Sequence, residues 1–372
     1  MLRNLWDSIK ESSFSWVLLF IGLSVAGYLC ILVIHKLLTR LKECYFKNLK
    51  LNLWLPSIIL GIMVLAYRLP ISIIVIHFAV IFLLIDLITN ILGKLTNKEF
   101  RFLHSGLLSI ILSIIICTYG VLNFIIVVPH EYVIESENVS KEYTAVFISD
   151  IHGPMIPMTL FKKYVNKISD LNADFVLLAG DITDEFAPRV KMEETYNTLG
   201  KIKNKYGIYY TYGNHDRLKY ARKIDYDKDI LDQTIKDSGI TILKDENVVI
   251  DNQITLIGRD DSGSEGKNRM NMGQLLENVD MNTFVTILEH EPSPYNDIAR
   301  KGVDLYLYGH THSGQIFPIG FYFQTFWNAF KSGREKYNNL DIIISPGFGA
   351  WAIPFRTEAH SEYIILKIVP KG

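Results

Sequence analysis

The stretch "LYLYGHTHSGQ", Leu305–Gln315, places two histidines two positions apart at the end of an apolar run, with a glycine on each side. Side chains at positions i and i+2 point the same way only on extended backbone. His310 and His312 can therefore hold one object between them, or two objects side by side. The flanking glycines allow the backbone to bend and to approach something closely. The rest of the sequence decides between the two arrangements.

Four other β-type runs end in the same kind of side chain. "YTAVFIS" leads to Asp150-Ile151-His152, "DFVLLAG" to Asp181, "GIYYTYG" to Asn214-His215-Asp216, and "TFVTILE" to His290. A single Asp or His after a strand is usually a turn or surface residue. Ligand sites in α/β sheets form where strands end. Five such ends in one domain therefore predict one shared site.

The residue types in this set indicate a metal centre. Carboxylate, imidazole and amide ligands without a thiolate suit Mn, Fe, Zn or Co. The set has more ligands than one tetrahedral ion takes. Two divalent metal ions that share a bridging carboxylate would use all of them. We therefore expect His310 and His312 to reach two neighbouring ions.

The order of these motifs resembles that of the calcineurin-like metallophosphoesterases. The matching segments are "DIH", "GDITD", "GNHD", "EHEP" and "GHTH", and the resemblance covers roughly Tyr143–Ile368. The closing "SPGFGAWAIPFR" is similar to the end of the bacterial membrane-associated branch of that family. The resemblance implies an α/β (α+β) four-layer sandwich, in which two packed β-sheets are flanked by helices.

The resemblance also implies a role for each matching residue. One ion would be held by Asp150, His152 and His312, the other by Asn214, His290 and His310, and Asp181 would bridge them. His215 is implied to protonate the leaving group as a general acid. Asp216 either orients the His215 imidazole or is a plain turn residue. Arg356 either contacts the substrate phosphate or is a surface residue.

The first third of the chain has the composition of a membrane domain. Spanning a bilayer takes about 20 apolar residues. The uncharged or nearly uncharged runs before residue 130 are Trp16–Ile34, Leu51–Tyr67, Leu69–Leu92 and Ser105–Val128, of which the second is short. We predict an all-α transmembrane domain of about four helices at 1–130, a linker at 131–142, and the phosphoesterase domain at 143–372.

The distribution of basic residues predicts the orientation of the chain. Lys and Arg concentrate in the loops between the first and second runs and between the third and fourth runs, where positively charged loops favour the cytoplasm. With four spans, both termini and the catalytic domain face outward, so the chain is a multi-pass cell-membrane protein with an extracytoplasmic domain. If the second run does not span, this orientation inverts.

Together these features predict a membrane-anchored, dinuclear metal-dependent phosphoesterase. The formal charge of −1 argues against a nucleic-acid polymer as partner. The stretch Phe317–Phe330 contains seven aromatic residues and reads either as core or as a rim that contacts lipid. The second reading favours membrane lipid as a partner and an amphiphilic, lipid-linked or cell-envelope phosphoester as substrate. A cytoplasmic-facing phosphodiesterase or pyrophosphatase acting on a nucleotide-linked or soluble substrate, and a non-catalytic binding module, are the alternatives.

Overall fold

The computed structural model describes residues 31–45, 53–54, 57–58, 69–153, 155–184, 186–218, 225–261, 269–329 and 331–372. The chain divides into two compact units, Met1–Tyr119 and Gly120–Gly372. Each unit has its own hydrophobic cluster. In the first unit the cluster is small and is centred on Phe82.

The described residues of the first unit are mainly helical. Residues 31–45 form a helix, followed by α1 (Leu69–Thr96), α2 (Arg101–Ser105) and α3 (Leu107–Ile125), whose last residues belong to the second unit. His77–Thr96 and Leu107–Ile125 are long and apolar enough to cross a membrane. They correspond to the third and fourth predicted spans. The first and second predicted spans lie outside the described residues, apart from 31–34, 53–54 and 57–58.

A buried acidic residue on α1 joins two helices of the first unit. Asp86 lies 2.5 Å from Nζ of Lys36, and its other oxygen contacts the guanidinium of Arg40. Charged side chains within apolar helices are costly unless they are paired. Asp86 therefore links α1 to the helix at 31–45.

The second unit contains two six-stranded mixed sheets. The strands are β1 (Val128–Ser136), β2 (Tyr143–Ile148), β3 (Phe175–Ala179), β4 (Ile208–Thr211), β5 (Ile240–Ile242), β6 (Glu246–Ile250), β7 (Ile254–Gly258), β8 (Phe284–Leu288), β9 (Leu305–Tyr308), β10 (Gly333–Tyr337), β11 (Leu340–Ile344) and β12 (Glu362–Pro370). The first sheet has the order β1-β12-β2-β3-β4-β5, and the second has the order β10-β11-β9-β8-β7-β6. The strands β2, β3 and β4 are parallel, as are β7, β8 and β9.

Helices cover the outer faces of the two sheets. They are α4 (Met158–Ser169), α5 (Arg189–Leu199), α6 (Lys228–Asp237), α7 (Met272–Leu275) and α8 (Tyr295–Ala299). The remaining helix, α9 (Ile319–Trp327), lies beside a 3₁₀ turn at His312–Gly314. One apolar core lies between the sheets, where Phe147 and Leu177 belong to the same cluster as Leu307. A second core packs α4, α5 and α6 on the first sheet, and a third packs α7 and α8 on the second. This is the predicted arrangement of two packed sheets with flanking helices.

The division of the chain differs from the predicted domain boundaries of 1–130, 131–142 and 143–372. Residues of the predicted linker form most of β1, which pairs in parallel with β12 over nine residues. The second unit begins at Gly120, inside α3. Because β1 hydrogen-bonds with the last strand of the chain, the linker is part of the first sheet.

Candidate metal centre

The ends of five strands bring the predicted ligands together. Asp150, Asp181 and Asn214 follow β2, β3 and β4 of the first sheet, and His290 and His310 follow β8 and β9 of the second. Within each sheet these neighbouring strands are parallel, so their carboxyl ends meet at one edge. The site is therefore built from both sheets.

The backbone at these strand ends takes an unusual form. Five of the predicted ligands have positive φ: Asp150 (52°), His152 (47°), Asp181 (50°), His310 (73°) and His312 (49°). Such left-handed conformations are uncommon for residues with a Cβ and cluster at functional sites. They turn the chain sharply, so that side chains from different strands converge.

Two glycines allow the carboxylates to approach neighbouring backbone. A Cβ atom at Gly213 would lie 2.1 Å from Asp181 Oδ1, and one at Gly309 would lie 2.1 Å from Asp150 Oδ2. Neither position has room for any other residue. This close approach explains why glycine precedes both Asn214 and His310 in the sequence.

The first group of ligand-capable side chains is Asp150, His152 and His312, all buried. Nε2 of His152 lies 3.0 Å from Nε2 of His312, which is 3.4 Å from Asp150 Oδ1. Two ligand atoms bound at about 2.0–2.2 Å to one ion lie roughly 3 Å apart. These separations therefore fit a shared ion. The Nδ1 atoms of both histidines are buried without a hydrogen-bond partner in the structure.

The second group is Asp181, His290 and His310. Nε2 of His290 lies 3.0 Å from Asp181 Oδ2 and 3.2 Å from His310 Nδ1. On its other side, Nδ1 of His290 is 2.8 Å from the carbonyl of Ala179, which accepts a hydrogen bond from it. Such an outer contact fixes the ring and leaves Nε2 directed at the cluster.

Asn214 and His215 complete the site beside Asp181. Asn214 is buried, and its Oδ1 has no hydrogen-bond partner in the structure, as expected of a ligand oxygen. The backbone N–H of His215 donates to Asp181 Oδ1 at 2.9 Å. The His215 ring is partly exposed, 5.1 Å from the ring centre of His152 and 6.1 Å from that of Trp351.

The electrostatics of the cluster keep most imidazoles in the form that binds metal. Burial lowers the pKa of His152 to about 3 and that of His310 to about 4, and also lowers the pKa of His312. Burial raises the pKa of Asp150 to about 6. Neutral imidazole is the metal-binding form. The three histidines are therefore ready as ligands near neutral pH.

His290 and Asp181 form a tightly coupled pair in the metal-free chain. Burial opposes the charged form of both, but their mutual attraction outweighs it. The pKa of His290 is raised well above its usual value, and that of Asp181 lies below its usual range. These directions place the proton on His290 and leave Asp181 ionised, so metal binding at Nε2 requires His290 to lose that proton.

Asp216 holds the backbone around Asp181. It is buried, and it accepts hydrogen bonds from the backbone N–H of Asp181 at 2.6 Å, of Gly213 at 3.0 Å and of Thr183 at 3.1 Å. These contacts hold the backbone turn that carries Asp181. Asp216 is thus more than a plain turn residue, because its carboxylate fixes backbone N–H groups on both sides of the site.

Arg356 has a different place from either of those considered for it. It is 0% exposed, and its guanidinium donates to the carbonyls of Pro346 at 2.6 Å and His312 at 3.2 Å, and also to Gly349 and Ala359. A side chain enclosed by backbone carbonyls has no open face for a substrate phosphate. Arg356 therefore ties together the loops behind the first group of ligands.

Sequence reasoning missed Glu289, a buried carboxylate that directly precedes the predicted ligand His290. Glu289 is buried next to His290 and accepts hydrogen bonds from Tyr306 at 3.0 Å and Ser293 at 2.7 Å. It also pairs with Arg259 at 3.3 Å and with Arg269. The only signal in the sequence is a carboxylate at the end of a β-type run, which does not distinguish a buried partner from a surface residue.

Part of the second unit is similar to a known protein family. Residues 143–314 match the family model for calcineurin-like phosphoesterases. Residues 143–314 therefore resemble a calcineurin-like phosphoesterase domain, and this match together with relatives named metallophosphoesterase supports a metal-dependent phosphoester hydrolase.

Two curated relatives have names consistent with this class. A "transmembrane protein with metallophosphoesterase domain" from Danio rerio is 27% identical, over 75% of this chain and 68% of its own length. An "uncharacterized metallophosphoesterase" from Helicobacter pylori (strain ATCC 700392 / 26695) is 28% identical, over 63% of this chain and 62% of its own length. Among solved structures, a dimetal phosphatase from Danio rerio aligns at 12% identity with a TM-score of 0.35, covering 56% of this chain and 88% of the other.

Proposed function

We propose that this chain is a membrane-anchored hydrolase of phosphoesters that works with two divalent metal ions. The observation that carries the proposal is the position of Asp181 between the two groups of ligands. Its Oδ2 lies 3.0 Å from Nε2 of His290 in the second group and 3.7 Å from Nε2 of His152 in the first. A carboxylate in contact with both groups is suited to bridge two ions.

The ligand set divides into two halves around this carboxylate. The ligands proposed for one ion are Asp150, His152 and His312, and those for the other are Asn214, His290 and His310. When bound, two divalent ions bring four positive charges against two carboxylates, neutralise phosphate oxygens and lower the pKa of water for attack. The metal is Mn, Fe, Zn or Co by the nitrogen-and-oxygen character of these ligands.

His215 is the proposed proton donor to the leaving group. It lies next to Asn214 in the chain, its backbone N–H is fixed by Asp181, and its ring is partly exposed beside the cluster. A general acid must come within hydrogen-bond reach of the departing oxygen. An imidazole at the rim of the metal centre has that access.

The membrane unit supports an amphiphilic substrate. α1 and α3 are long and apolar enough to cross a bilayer, and the basic loops favour an extracytoplasmic catalytic unit in a multi-pass protein. Trp351, which is 52% exposed, stands 6.1 Å from the His215 ring. An aromatic side chain at the edge of the site suits a lipid-linked or cell-envelope phosphoester.

Activity of the full chain in detergent tests the proposal directly. The purified protein, freed of metal and then supplied with Mn, Zn, Fe or Co, is assayed against phospholipid and soluble phosphomonoesters and phosphodiesters. We expect hydrolysis that requires metal. A metal-loaded, folded protein that hydrolyses none of the panel would favour the non-catalytic binding module instead.

A further inference from the structure

The surface around α9 is unusually apolar for a helix that faces outward. From Gln315 to Phe330 the sequence has no charged residue. The side chains of Phe317, Ile319, Phe321, Tyr322, Phe326 and Trp327, here called the aromatic face, are between 45% and 68% exposed. A helix exposed to water normally carries charged residues on its outer side. Large exposed apolar patches mark interaction sites.

The end of α3 is fixed directly to the loop at residues 355–359. Nδ2 of Asn123 donates to the carbonyls of Arg356 and Glu358, both at 3.2 Å, and Arg356 N donates to the carbonyl of Gly120 at 3.0 Å. Gly120 packs so closely on Phe355 that a Cβ atom there would lie 2.3 Å from the ring. All these residues belong to the second unit.

The same loop fixes the start of α9. The carboxylate of Glu358 accepts hydrogen bonds from the backbone N–H of Gly320 at 2.6 Å and of Phe321 at 2.8 Å. Thr357 Oγ1 accepts from Phe317 N at 2.9 Å. A carboxylate at a helix N-terminus satisfies free N–H groups and interacts well with the helix dipole. Residues 355–359 therefore hold the aromatic face at a set place relative to the end of α3.

The length of α3 indicates the depth at which its C-terminal end lies in a membrane. Its 19 residues cover about 28 Å, close to the thickness of the hydrocarbon core. Val121, Leu122 and Ile126 at its end are exposed and apolar. The last turn of α3 is therefore expected at the membrane–water interface, where aromatic side chains are favoured.

From these contacts we infer that the aromatic face inserts into the interfacial layer of the bilayer that α3 enters. The occupant of this face is lipid, because the loop that holds α9 is bonded to the end of an apolar helix of spanning length. The metal centre is adjacent, since Gln324 on α9 donates to Ser313 Oγ at 3.1 Å in the turn that carries His312. The site then takes phosphoesters from the headgroup layer of the same leaflet, a consequence that rests on the proposed function.

Spin-label accessibility tests the insertion without any assay of activity. The full chain, with Cys30, Cys44 and Cys117 replaced by serine, is reconstituted in lipid nanodiscs with a label at Phe321→Cys or Phe326→Cys. The matched control is Val249→Cys on β6, which is apolar and 50% exposed. We expect labels on the aromatic face to collide with oxygen and to be shielded from a water-soluble nickel complex. The control label should be open to the nickel complex.

Two other results would overturn the inference. Labels as open to the nickel complex as the control would place the aromatic face in water. Labels shielded from both reagents would indicate protein contact, either a second copy or another partner. Because the serine substitutions can disturb folding, Trp327 fluorescence in the native-cysteine chain serves as a second measurement. Brominated lipid should quench part of the tryptophan fluorescence of the native-cysteine chain, and this quenched part should be missing in Trp327→Phe. If the native-cysteine chain shows no such quenching by Trp327, the result also contradicts insertion.

A kinetic comparison tests the consequence for substrate. The double substitution Phe321→Ser/Phe326→Ser should lower the rate on a phosphoester embedded in vesicles by about tenfold, because two apolar anchors are lost. The rate on a soluble nitrophenyl ester should stay unchanged. Equal losses on both substrates would contradict a role in reaching lipid. A parent chain inactive on both would contradict the proposed function, and the spin-label result would then decide insertion by itself.

Discussion

At the scale of single residues, the metal centre depends on backbone that most residues avoid. Asp150, Asp181 and His310 each have positive φ, a conformation that costs about 1–2 kcal/mol for a residue with a side chain. The hydrogen bonds that Asp216 accepts from the N–H groups around Asp181 help to hold one of these turns. Residues that are not metal ligands therefore help to stabilise this strained backbone.

The central carboxylate should be essential for metal binding. We predict that Asp181→Asn lowers the metal content of the purified protein to less than half, because a neutral amide is a poor bridge between two cations. Inductively coupled plasma mass spectrometry measures the content, with the parent chain as reference. Full occupancy by two ions in Asp181→Asn would remove Asp181 from the bridging role.

His215 should affect the reaction and leave metal content unchanged. We predict that His215→Ala loses about 10²–10⁴-fold in rate on alkyl phosphodiesters, the usual contribution of a general acid. Nitrophenyl esters should lose much less, because nitrophenolate leaves easily without a proton. The ligand variant His310→Ala is the control and should fail on both substrates. Equal losses with intact metal would assign His215 to phosphate positioning or charge stabilisation.

The candidate ligands could be selected from the sequence because each follows a β-type run in a recognisable motif. The same reasoning did not find the place of Arg356 or the role of Glu289. Both are buried by segments far apart in the chain, and burial of a charged residue depends on that packing. Local spacing shows which side chains can bind a metal, but it does not show which charges the fold encloses.

At the scale of secondary-structure elements, the strand most difficult to predict was β1. It is an edge strand with several exposed polar residues, and its partner β12 lies more than 200 residues further along the chain. Its pattern resembled a linker because half its side chains face solvent. The parallel pairing with β12 makes it part of the sheet, and no local signal indicates a partner so distant.

A buried carboxyl group on β12 should make stability depend on pH. Burial raises the pKa of Glu362 to about 8, against a partial opposing effect of Arg356, while Oε2 lies 2.5 Å from Nδ1 of half-exposed His130. The folded chain therefore binds this proton more tightly than the unfolded chain, whose pKa is about 4.5. Its stabilising contribution is full below pH 4.5 and is lost as the pH rises to about 8.

Glu362→Gln should remove this part of the pH dependence. We predict that its melting temperature falls less than that of the parent between pH 5 and pH 8, and is equal or higher at pH 8. Glu131→Gln, at an exposed position of β1, is the control and should follow the parent. Thermal unfolding in detergent, followed by near-ultraviolet circular dichroism, measures the difference. A Glu362→Gln curve parallel to that of the parent would show that the buried proton is absent.

At the scale of the whole molecule, the chain divides into an apolar helical unit and a two-sheet unit, and the boundary falls within α3. The sequence showed the change of composition near residue 130, whereas the second unit begins at Gly120. The difference arises because the end of α3 is apolar by composition but is bonded to the 355–359 loop through Asn123. Composition indicates whether a segment favours lipid or water, but it does not indicate which unit the segment packs against.

The orientation of the catalytic unit is the property of the whole molecule that decides which substrates it meets. We predict that a cysteine at Lys336, exposed on β10, reacts with a membrane-impermeant thiol reagent in intact cells. The matched variant is Lys98→Cys, which is exposed between α1 and α2 in a loop that the basic residues assign to the cytoplasm. In both variants Cys30, Cys44 and Cys117 are replaced, so that only the introduced cysteine can be labelled. Lys98→Cys should react only after the cells are permeabilised.

The reverse pattern would place the catalytic unit in the cytoplasm, where a nucleotide-linked or soluble phosphoester becomes the expected substrate. Labelling of both variants in intact cells would mean that the chain crosses the bilayer an even number of times between residues 98 and 336, and that the assignment of the basic loop is wrong.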